Sequence, residues 1–394
     1  MTTTPTAQGA LTITGAVLED VGSPRPYAAS RPITVSELTL DPPGPGEILV
    51  RIEAAGICHS DLSVVDGNRL RPTPMLLGHE AAGIVDGLGG GVDDLEIGDR
   101  VVLTFLPQCG DCDGCRSHGR LPCRRGSEAN GEGALLSGGR RLRRDGARVH
   151  HHLGVSGFAT HAVVHRSSAV RVSPDVPAEV AALLGCAVLT GGGAVLNAGR
   201  PVAGEPVMVV GLGGVGLAAV LVAAGAGHPV IAVDALESKL DIARDLGAEL
   251  TLTPADLESS GVRSPVVVEA AGHPRAFETA FAATAPGGTT VTVGLPGPSA
   301  RSEISPLTIT AEARRIVGSY LGSSVPSRDI PRYAELWRTG RLPVERLISS
   351  RVGFDDLNDA MDALAEGRAI RQILLPRPFE PSEERGPGKD VSRH

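Results

Sequence analysis

The sequence predicts an α/β protein in which a β-rich region is joined to a doubly wound parallel sheet. Up to about residue 187 the apolar segments are short, rich in valine and isoleucine, and separated by turn-forming residues, as in an all-β region. From about residue 188 short apolar strands alternate with helical stretches, which is typical of a parallel sheet covered by helices. A chain of 394 residues is long enough for two such units, each with its own core.

The β-rich region contains segments such as "EILVRIEAAGI" at residues 47–57 and "AAGIVDGLG" at residues 81–89. The stretches "DPPGPGE" (41–47) and "LEIGDR" (95–100) are rich in the residues that favour turns. We therefore expect short strands joined by turns in this part of the chain.

The second region has its own series of short apolar segments and helical patterns. The expected strands are "EPVMVVG" (205–211), "HPVIAVD" (228–234), "SPVVVEAAG" (264–272), "GTTVTVG" (288–294) and "RQILLP" (371–376). The expected helices are "LESKLDIARDLG" (236–247), "PRAFETAFAAT" (274–284), "RDIPRYAELWRTG" (328–340) and "FDDLNDAMDALAEG" (354–367). The polar, proline- and glycine-rich ends at residues 1–10 and 377–394 are expected to be disordered tails.

The composition excludes several classes of protein. A hydrophobic content of 42% is that of a soluble globular protein, and a net charge of -8 argues against nucleic acid or an anionic membrane as the main partner. The N-terminal stretch has no basic segment followed by an apolar run, so no secretory signal is expected. A cytoplasmic location is therefore the default expectation, and disulfides are disfavoured there.

Four of the six cysteines lie in "QCGDCDGCRSHGRLPC" at residues 108–123, with the spacing C-x2-C-x2-C-x7-C. In a reducing compartment such closely spaced cysteines more often hold zinc than each other. Four thiolates, from Cys109, Cys112, Cys115 and Cys123, complete a tetrahedron and leave no open position, so this zinc should be structural. Free surface thiols, a redox pair and iron–sulfur ligation remain open on the residue types alone.

A dinucleotide-binding signature follows in "VMVVGLGGVGLAAV", where a strand, G-x-G-x-x-G and a helix succeed one another. Gly211 makes the tight turn, Gly213 lets the backbone approach a pyrophosphate, and Gly216 lets the helix pack against the strand. Asp234 ends the next strand, where a carboxylate binds the ribose hydroxyls of the adenosine and repels a 2′-phosphate. This pattern predicts a Rossmann fold and favours NAD over NADP. A glycine-rich packing turn with a chance aspartate is the alternative.

The two remaining cysteines are far apart in the chain. Cys58 lies in "GICHSD" and Cys186 in "LLGCAV", while "LGHEAAG" between them contains His79 and Glu80. Each residue alone is more often part of a core than of a site, because buried cysteines commonly act as small apolar side chains.

These motifs together resemble those of the zinc-containing medium-chain alcohol dehydrogenases. The matching segments, in order, are "GICHSD", "GHEAAGIV", "GDRV", the four-cysteine lobe, "GC", "GLGGVG" and "VD", and the resemblance runs from about residue 11 to residue 376. It implies a GroES-like catalytic domain at 11–187, to which 326–376 returns, and a Rossmann NAD-binding domain at 188–325. The active site would lie in the cleft between them.

The resemblance also implies a role for individual residues. Cys58, His79 and Cys186 match the ligands of a catalytic zinc, which keeps one position open. Asp61 matches the carboxylate that orients the zinc-bound histidine, and Glu80 the acidic residue behind the zinc. The other matched positions are Ser60, which takes the alcohol proton; His59 and Arg371, which reach the cofactor pyrophosphate; Lys239, near the adenosine ribose; and Phe105, His152 and Leu295, which line the substrate cleft.

The activity implied is reversible hydride transfer between NAD and an alcohol, or the hydroxymethyl group of a thiol adduct, with two zinc ions per chain. A small-molecule alcohol or aldehyde would be the substrate, and a homodimer or homotetramer the assembly. Two alternatives stay open: a non-catalytic NAD-binding protein with a zinc-stabilised interaction lobe, and a zinc-free quinone reductase of the same architecture. The second would have no use for the matched ligands.

Two positions depart from the family pattern. Many relatives have a histidine five residues after the first catalytic cysteine, where it passes the proton to solvent, and this chain has Ser63 there. The cleft position before Leu153, often a large apolar residue, is His152. We therefore expect either that the enzyme works best at alkaline pH, where solvent base takes over, or that another histidine passes the proton on. His152 is the candidate, with an exposed polar run at His150–His152 as the alternative. The arginine-rich "GGRRLRRDGARV" is expected to be a solvated hairpin, with a role in attracting anionic substrates as the alternative.

Overall fold

The computed structural model describes residues 9–376 and contains three sheets. The strands are β1 (Leu11–Leu18), β2 (Ile33–Leu40), β3 (Glu47–Ile57), β4 (Met75–Leu76), β5 (Ala81–Leu88), β6 (Arg100–Leu103), β7 (Leu142–Arg144), β8 (Ala147–His151), β9 (His161–His165), β10 (Ala169–Arg171), β11 (Val207–Val210), β12 (Val230–Val233), β13 (Leu250–Leu252), β14 (Ser264–Glu269), β15 (Thr284–Thr292), β16 (Arg315–Gly318), β17 (Ile348–Val352) and β18 (Arg371–Leu374).

The helices lie between these strands. They are α1 (Tyr27–Ser30), α2 (His59–Val65), α3 (Asp113–Arg116), α4 (Arg124–Glu132), α5 (Ala178–Leu183), α6 (Leu189–Gly193), α7 (Gly214–Gly225), α8 (Glu237–Asp245), α9 (Pro254–Ser260), α10 (Pro274–Ala282), α11 (Pro306–Ala311), α12 (Pro326–Arg338) and α13 (Leu357–Ala365).

The first part of the chain forms a closed barrel and a mixed sheet. The barrel runs β1-β2-β7-β8-β4, and the seven-stranded sheet runs β10-β6-β5-β3-β18-β17, with β9 also paired to β3. The arginine-rich run folds as the expected hairpin, because Asp145 and Gly146 take the positive φ values that the turn between β7 and β8 needs. The C-terminal strands β17 and β18 return to the mixed sheet.

The parallel sheet has the order β13-β12-β11-β14-β15-β16. Every neighbouring pair in it is parallel, and the chain moves outward from β11 in both directions. This is the doubly wound arrangement, in which ligands bind beyond the carboxyl ends of the strands where the order reverses. The predicted fold class is confirmed.

The strands and helices expected in the second region all form, with shifts of a few residues at their ends. The expectation that the region up to residue 187 is all-β is wrong, because α1 to α4 and the start of a long helix lie there. These helices are too short for apolar periodicity to indicate them, and α2 and α4 are capped by side chains. In α2, for example, the Asp61 carboxylate accepts a hydrogen bond from the Cys58 backbone N–H at 3.0 Å.

One continuous helix, Ala178–Gly199, connects the two parts and includes α5 and α6. It has wider π-helical turns at Leu184–Val188 and Ala194–Gly199, so the boundary expected at 187/188 lies inside it. Its length and apolar composition would allow it to cross a membrane, but nearly all of it is buried within the protein.

Three consecutive glycines of this helix contact three different elements. An added Cβ would lie 2.3 Å from the Val215 carbonyl at Gly191, 2.6 Å from the Tyr333 hydroxyl at Gly192, and 2.2 Å from the Gly322 carbonyl at Gly193. No side chain fits at such distances, so glycine permits the close packing of α6 against α7, α12 and the segment at 320–323.

The tails expected at residues 1–10 and 377–394 lie almost entirely outside the described residues. Only residues 9 and 10 are described, and both are exposed and outside the strands and helices.

Candidate active site and a second cysteine cluster

A cavity of about 290 Å³ lies between the mixed sheet and the carboxyl ends of the parallel strands. Cys58, Ser60 and Ser63 line it from the first part of the chain, while Gly213 and Asp234 line it from the second. The two parts of the molecule therefore meet at one cavity, as the cleft expected from the sequence requires.

Three metal-ligand side chains converge at the wall of this cavity. Cys58 immediately precedes α2, His79 lies between β4 and β5, and Cys186 lies in the first wide turn of the long helix. Their ligand atoms are within 4.8 Å of one another, and Cys186 Sγ lies 3.6 Å from His79 Nε2. Zinc bonds of about 2.3 Å to sulfur and about 2.0 Å to nitrogen place such a tetrahedral pair about 3.5 Å apart. The cluster therefore fits zinc.

Asp61 holds the histidine of this cluster in place. Its Oδ1 lies 3.0 Å from His79 Nδ1, and both side chains are buried. With Nδ1 donating to the carboxylate, Nε2 keeps its lone pair for a metal. Burial opposes a positive charge on His79, but Asp61 outweighs it and raises the pKa of His79 well above its usual value. This environment favours a cation, which a bound divalent metal supplies.

The Cys58 thiol is prepared for the same ligand, whereas a hydrogen bond with Cys58 and burial raise the pKa of Cys186. The hydrogen bond from the Cys186 thiol and the positive charge of Arg371 lower the pKa of Cys58 well below its usual range, despite burial. Metal ligation requires the thiolate, so a lowered pKa favours binding at neutral pH.

Glu80 lies behind the cluster and is paired with Arg371. Its Oε2 is 3.2 Å from Arg371 Nη1, its Oε1 has no hydrogen-bond partner among the described residues, and both side chains are buried. Burial raises the pKa of Glu80 to about 7, although the guanidinium opposes the shift. The Arg371 side chain also lies against Gly214, the first residue of α7, and lines the cavity.

His152 is fully buried next to Asp61. Its Nδ1 lies 3.2 Å from Asp61 Oδ1, and its ring meets that of His79 edge-on, with centroids 5.4 Å apart. Neither ring nitrogen makes a well-aligned hydrogen bond to a described residue. Burial lowers the pKa of His152, with Asp61 opposing. The exposed-run alternative therefore fails for this residue, whereas its role in proton transfer stays a prediction.

The other expected cleft residues lie on two sides of the site. The Phe105 ring stands edge-on to His79 and to Tyr320, with centroids 5.8 Å and 5.7 Å away. Leu295 lines the cavity from the loop after β15 and is 51% exposed. His59 and Ser60 also line the cavity, next to Cys58. These positions stay predictions for the substrate and the cofactor.

The glycine-rich turn has the geometry that its sequence predicts. Gly211 has φ +92°, a value that L side chains rarely adopt, and a Cβ at Gly216 would lie 1.9 Å from the Gly211 carbonyl. Around Gly213 nothing lies within 4 Å of an added Cβ. The open space beside Gly213, at the start of α7, suits the pyrophosphate of a dinucleotide.

Asp234 also organises this turn. Its Oδ2 accepts a hydrogen bond from the Leu212 backbone N–H at 2.7 Å, and its Oδ1 accepts one from Leu236 at 3.0 Å. The Lys239 ammonium lies 3.9 Å from the carboxylate. Each oxygen retains acceptor capacity for a ribose hydroxyl, since a carboxylate oxygen accepts more than one hydrogen bond.

The four cysteines of the lobe form a second cluster. The Sγ–Sγ distances are 3.9 Å for Cys109–Cys115, 3.7 Å for Cys112–Cys115 and 3.9 Å for Cys112–Cys123. Tetrahedral zinc with bonds of about 2.3 Å sets thiolates about 3.8 Å apart, so this cluster fits zinc as well. Backbone N–H groups of Cys115 and Arg124 lower the pKa of Cys112 to about 6. With four sulfurs around one point, no position is left for a substrate.

Sequence reasoning missed three residues near the cavity. Arg69 lines it, Arg71 is half-buried nearby, and Tyr320 covers Phe105. The two arginines in "NRLRP" were visible as charges, but not their lack of an acidic partner. Tyr320 is distant in sequence from Phe105, which it covers, so no local pattern indicated it.

The chain is similar to known dehydrogenases over most of its length. Residues 44–174 match the family model of an alcohol dehydrogenase GroES-like domain, and residues 214–338 match that of a zinc-binding dehydrogenase. A curated relative, "Putative alcohol dehydrogenase D" of Mycobacterium tuberculosis, is 34% identical over 362 residues, which cover 89% of this chain and 98% of the relative.

Two solved structures extend the similarity to three dimensions. An alcohol dehydrogenase zinc-binding domain protein from Burkholderia ambifaria superposes with a TM-score of 0.86 at 31% identity, over 93% of this chain and 100% of that one. A benzyl alcohol dehydrogenase from Acinetobacter calcoaceticus gives 0.84 at 29% identity, over 93% and 99%.

Proposed function

The chain belongs to the zinc-containing medium-chain alcohol dehydrogenases and is therefore an alcohol oxidoreductase; we propose that Cys58, His79 and Cys186 hold its catalytic zinc and that NAD is the hydride acceptor. One observation carries this proposal. Cys58 and the glycine-rich turn line the same cavity, and the ligand atoms of His79 and Cys186 lie within 4.8 Å of that of Cys58, so an alcohol at the metal and a nicotinamide can meet there. The products would be an aldehyde or a ketone, and the reaction would be reversible.

The bound groups supply the chemistry that side chains cannot, since zinc is a Lewis acid that lowers the pKa of an alcohol and NAD accepts the hydride. The chain's own residues position the reaction. Asp61 orients His79, Ser60 on the cavity wall accepts the hydroxyl proton while it passes its own proton on towards solvent, and the Phe105 ring covers the ligand set on one side. Catalysis by proximity requires that the reacting atoms are held about 3 Å apart. The contacts of these residues with the buried cluster support such positioning.

The cofactor cradle is proposed to consist of residues on both sides of the cavity. The pyrophosphate would lie at Gly213, with Arg371 contributing positive charge and His59 a ring N–H donor, since burial lowers the pKa of His59, and Lys239 would lie near the ribose. The lobe cysteines Cys109, Cys112, Cys115 and Cys123 would hold the second, structural zinc.

Asp234 is proposed to select NAD, because its carboxylate would repel the 2′-phosphate of NADP. Asp234→Gly should reduce the preference for NAD about 10-fold or more, measured as the ratio of kcat/KM for the two cofactors. Loss of the hydrogen bond to Leu212 would lower the rate with both cofactors, so the ratio is the informative quantity. Equal use of NAD and NADP by the wild type would contradict the assignment.

We also propose a homodimer or homotetramer in the cytoplasm. The last strand of the parallel sheet, β16, pairs only with β15 among the described strands, and Ile316 on it is 37% exposed. An exposed sheet edge with apolar side chains favours pairing with another chain. A molar mass equal to one chain, measured by light scattering, would contradict this assembly. The six free cysteines suit a reducing compartment.

The decisive experiment is an NAD reduction screen with zinc-loaded protein over primary, secondary, aromatic and thiol-adduct alcohols, followed as NADH absorbance. Metal analysis should find two zinc ions per chain. An NADH signal that disappears when zinc is removed supports the proposal. NAD binding without turnover of any alcohol would instead favour a non-catalytic protein with a zinc-stabilised lobe.

A further inference from the structure

Two arginines stand next to the candidate active site on the segment between α2 and β4. Arg69 lines the cavity together with Cys58 and Ser60. Arg71 follows two residues later and is half-buried. Neither takes part in the metal cluster or in the glycine-rich turn, so the proposed roles above leave both unexplained.

Neither guanidinium has an acidic partner among residues 9–376. The Nη1 of Arg71 reaches only the Leu70 carbonyl, at 3.3 Å, and its Nε is buried without a hydrogen-bond partner. Many arginines of the described chain are paired within it, such as Arg143 with Asp41 at 3.1 Å, whereas exposed ones such as Arg148 also lack an acidic partner there; Arg71 differs from Arg148 because it is half-buried next to the site. Leaving a buried donor of a charged group unpaired costs free energy. Both guanidinium groups next to the site therefore have N–H donors that no described residue uses and that a ligand can bind.

The two arginines form one positive corner close to the ring that covers the metal cluster. Burial, and after it the charge of Arg69, lowers the pKa of Arg71. Both guanidinium charges also act on the Tyr320 hydroxyl, whose pKa is raised mainly by burial. Tyr320 contacts Phe105, and Phe105 contacts His79, so aromatic rings connect this corner to the metal ligands, and the charge of Arg71 also acts on His152 beside Asp61.

We propose that the alcohol substrate carries an anionic group, a carboxylate or a phosphate, which Arg69 and Arg71 bind while the hydroxyl group lies at the metal cluster. This proposal rests on the alcohol dehydrogenase function stated above and names the class of its substrate. Guanidinium groups match both anions because they offer paired N–H donors in one plane. A thiol adduct whose thiol carries carboxylates belongs to the same class.

The phosphates of the dinucleotide are the competing occupant of this corner. They already have a site at Gly213, where open space, the start of α7 and the side chains of His59 and Arg371 converge. An anion on the substrate therefore explains Arg69 and Arg71 better, and the affinity for NADH distinguishes the two cases.

The first experiment compares alcohols that differ only in the distal group. The pairs are 1-butanol with 4-hydroxybutanoate, 1-hexanol with 6-hydroxyhexanoate, 1-octanol with 8-hydroxyoctanoate, and benzyl alcohol with 4-(hydroxymethyl)benzoate; 6-hydroxyhexyl phosphate tests the phosphate form. We expect the best anionic substrate to exceed its neutral partner about 10- to 100-fold in kcat/KM, mainly through KM. The preference should decrease as ionic strength rises.

The second experiment removes the charges one at a time. Arg69→Gln and Arg71→Gln should each lower kcat/KM for the best anionic alcohol about 10-fold or more and leave its neutral partner within about 2-fold. Arg148→Gln is the matched control, because Arg148 is exposed on β8 and forms no ion pair with a described residue. The affinity of the NADH complex for hexanoate, which has no hydroxyl group to oxidise, should fall in the two test variants by the same factor, measured by calorimetry.

The outcomes separate this inference from the proposed function. If no alcohol reduces NAD, the proposed function fails, and the inference with it. If neutral alcohols react and the anionic ones are no better, or if both variants weaken NADH binding rather than hexanoate binding, the inference alone is wrong.

Discussion

The two cysteine clusters differ in how the chain builds them. The lobe takes its four sulfurs from Cys109 to Cys123, within one short segment, and its surroundings are partly exposed. The cluster at the cavity takes Cys58, His79 and Cys186 from three elements that are distant in sequence, and all three are buried. One cluster is closed by its fourth thiolate, whereas the other has three matched ligands and a cavity beside them.

Because of this difference, we expect the lobe cluster to stabilise the fold and the cluster at the cavity to serve catalysis. We expect the local cluster to gain most from a metal, because the short lobe has little apolar core of its own and its cysteines bring α3 and α4 together. The distributed cluster is held by the packed core around it and by the Asp61 carboxylate, so the fold positions the metal rather than the reverse. Removing a ligand should therefore have opposite consequences in the two places.

The largest effect is expected for Cys58→Ser. The loss of one ligand should remove one zinc and lower kcat/KM about 1,000-fold or more, since Lewis-acid stabilisation contributes several kcal/mol to such reactions. The fold should persist, with Tm within a few degrees of the wild type. Steady-state kinetics, metal analysis and thermal unfolding test this; an active variant with one zinc would remove Cys58 from the catalytic set.

Cys112→Ser tests the other half of the comparison, the expectation that the zinc of the lobe stabilises the fold. Without its zinc the lobe loses folding free energy, and we expect Tm to fall by about 10 °C, which corresponds to several kcal/mol in a chain of this size. The catalytic zinc should remain, and kcat per folded molecule should stay within about 3-fold of the wild type at low temperature. An unchanged Tm with two zinc ions still bound would contradict a structural role.

Asp61→Asn tests whether the buried cluster depends on its supporting carboxylate. The amide keeps the shape but lacks the charge that orients His79, so zinc affinity at the cavity should fall about 10- to 100-fold. Competition with a chelator of known affinity measures this loss. The lobe serves as the internal control, because its zinc should be released at the wild-type chelator concentration.

The smallest effect expected is on the pH profile. Burial lowers the pKa of His152 below its ordinary value of about 6.5, so the ring is neutral at pH 7 and able to accept a proton. His152→Phe should lower kcat near pH 7 about 10-fold and less near pH 9, where solvent base takes over, and Ser63→His should partly restore it. An unchanged profile together with weaker metal binding would assign His152 to holding Asp61 instead.

Sequence reasoning reached the two clusters by different routes. The spacing of the lobe cysteines indicated a metal site directly, because the ligands are adjacent in the chain. Cys58 and Cys186 were joined only through the family resemblance, since their meeting point depends on the long helix and on β5. Gly211 and Gly216 were interpretable because each has a local backbone reason, which the structure bears out, whereas the approach of a pyrophosphate to Gly213 stays a prediction.

Other features required coordinates. The short helices α2 to α4 escaped prediction because capping and metal ligands, rather than an apolar stripe, define them. Arg69 and Arg71 looked like ordinary surface charges, because the absence of a partner is a property of the folded neighbourhood. The burial of His152 beside Asp61 could likewise not be predicted from a run of three histidines.

At the three glycines 191–193, the helix that connects the two parts of the molecule packs against its neighbours with no space for a side chain. Each faces a different neighbour, and Cys186 lies on the same helix, about 1.5 turns away. A single methyl group at Gly191 would push α6 away from α7. Cys186 would then shift relative to the turn that receives the dinucleotide. A displacement of about 1 Å can lower a reaction rate about 100-fold. A mutation there would therefore slow hydride transfer, although every metal ligand and every residue that contacts the cofactor would be unchanged.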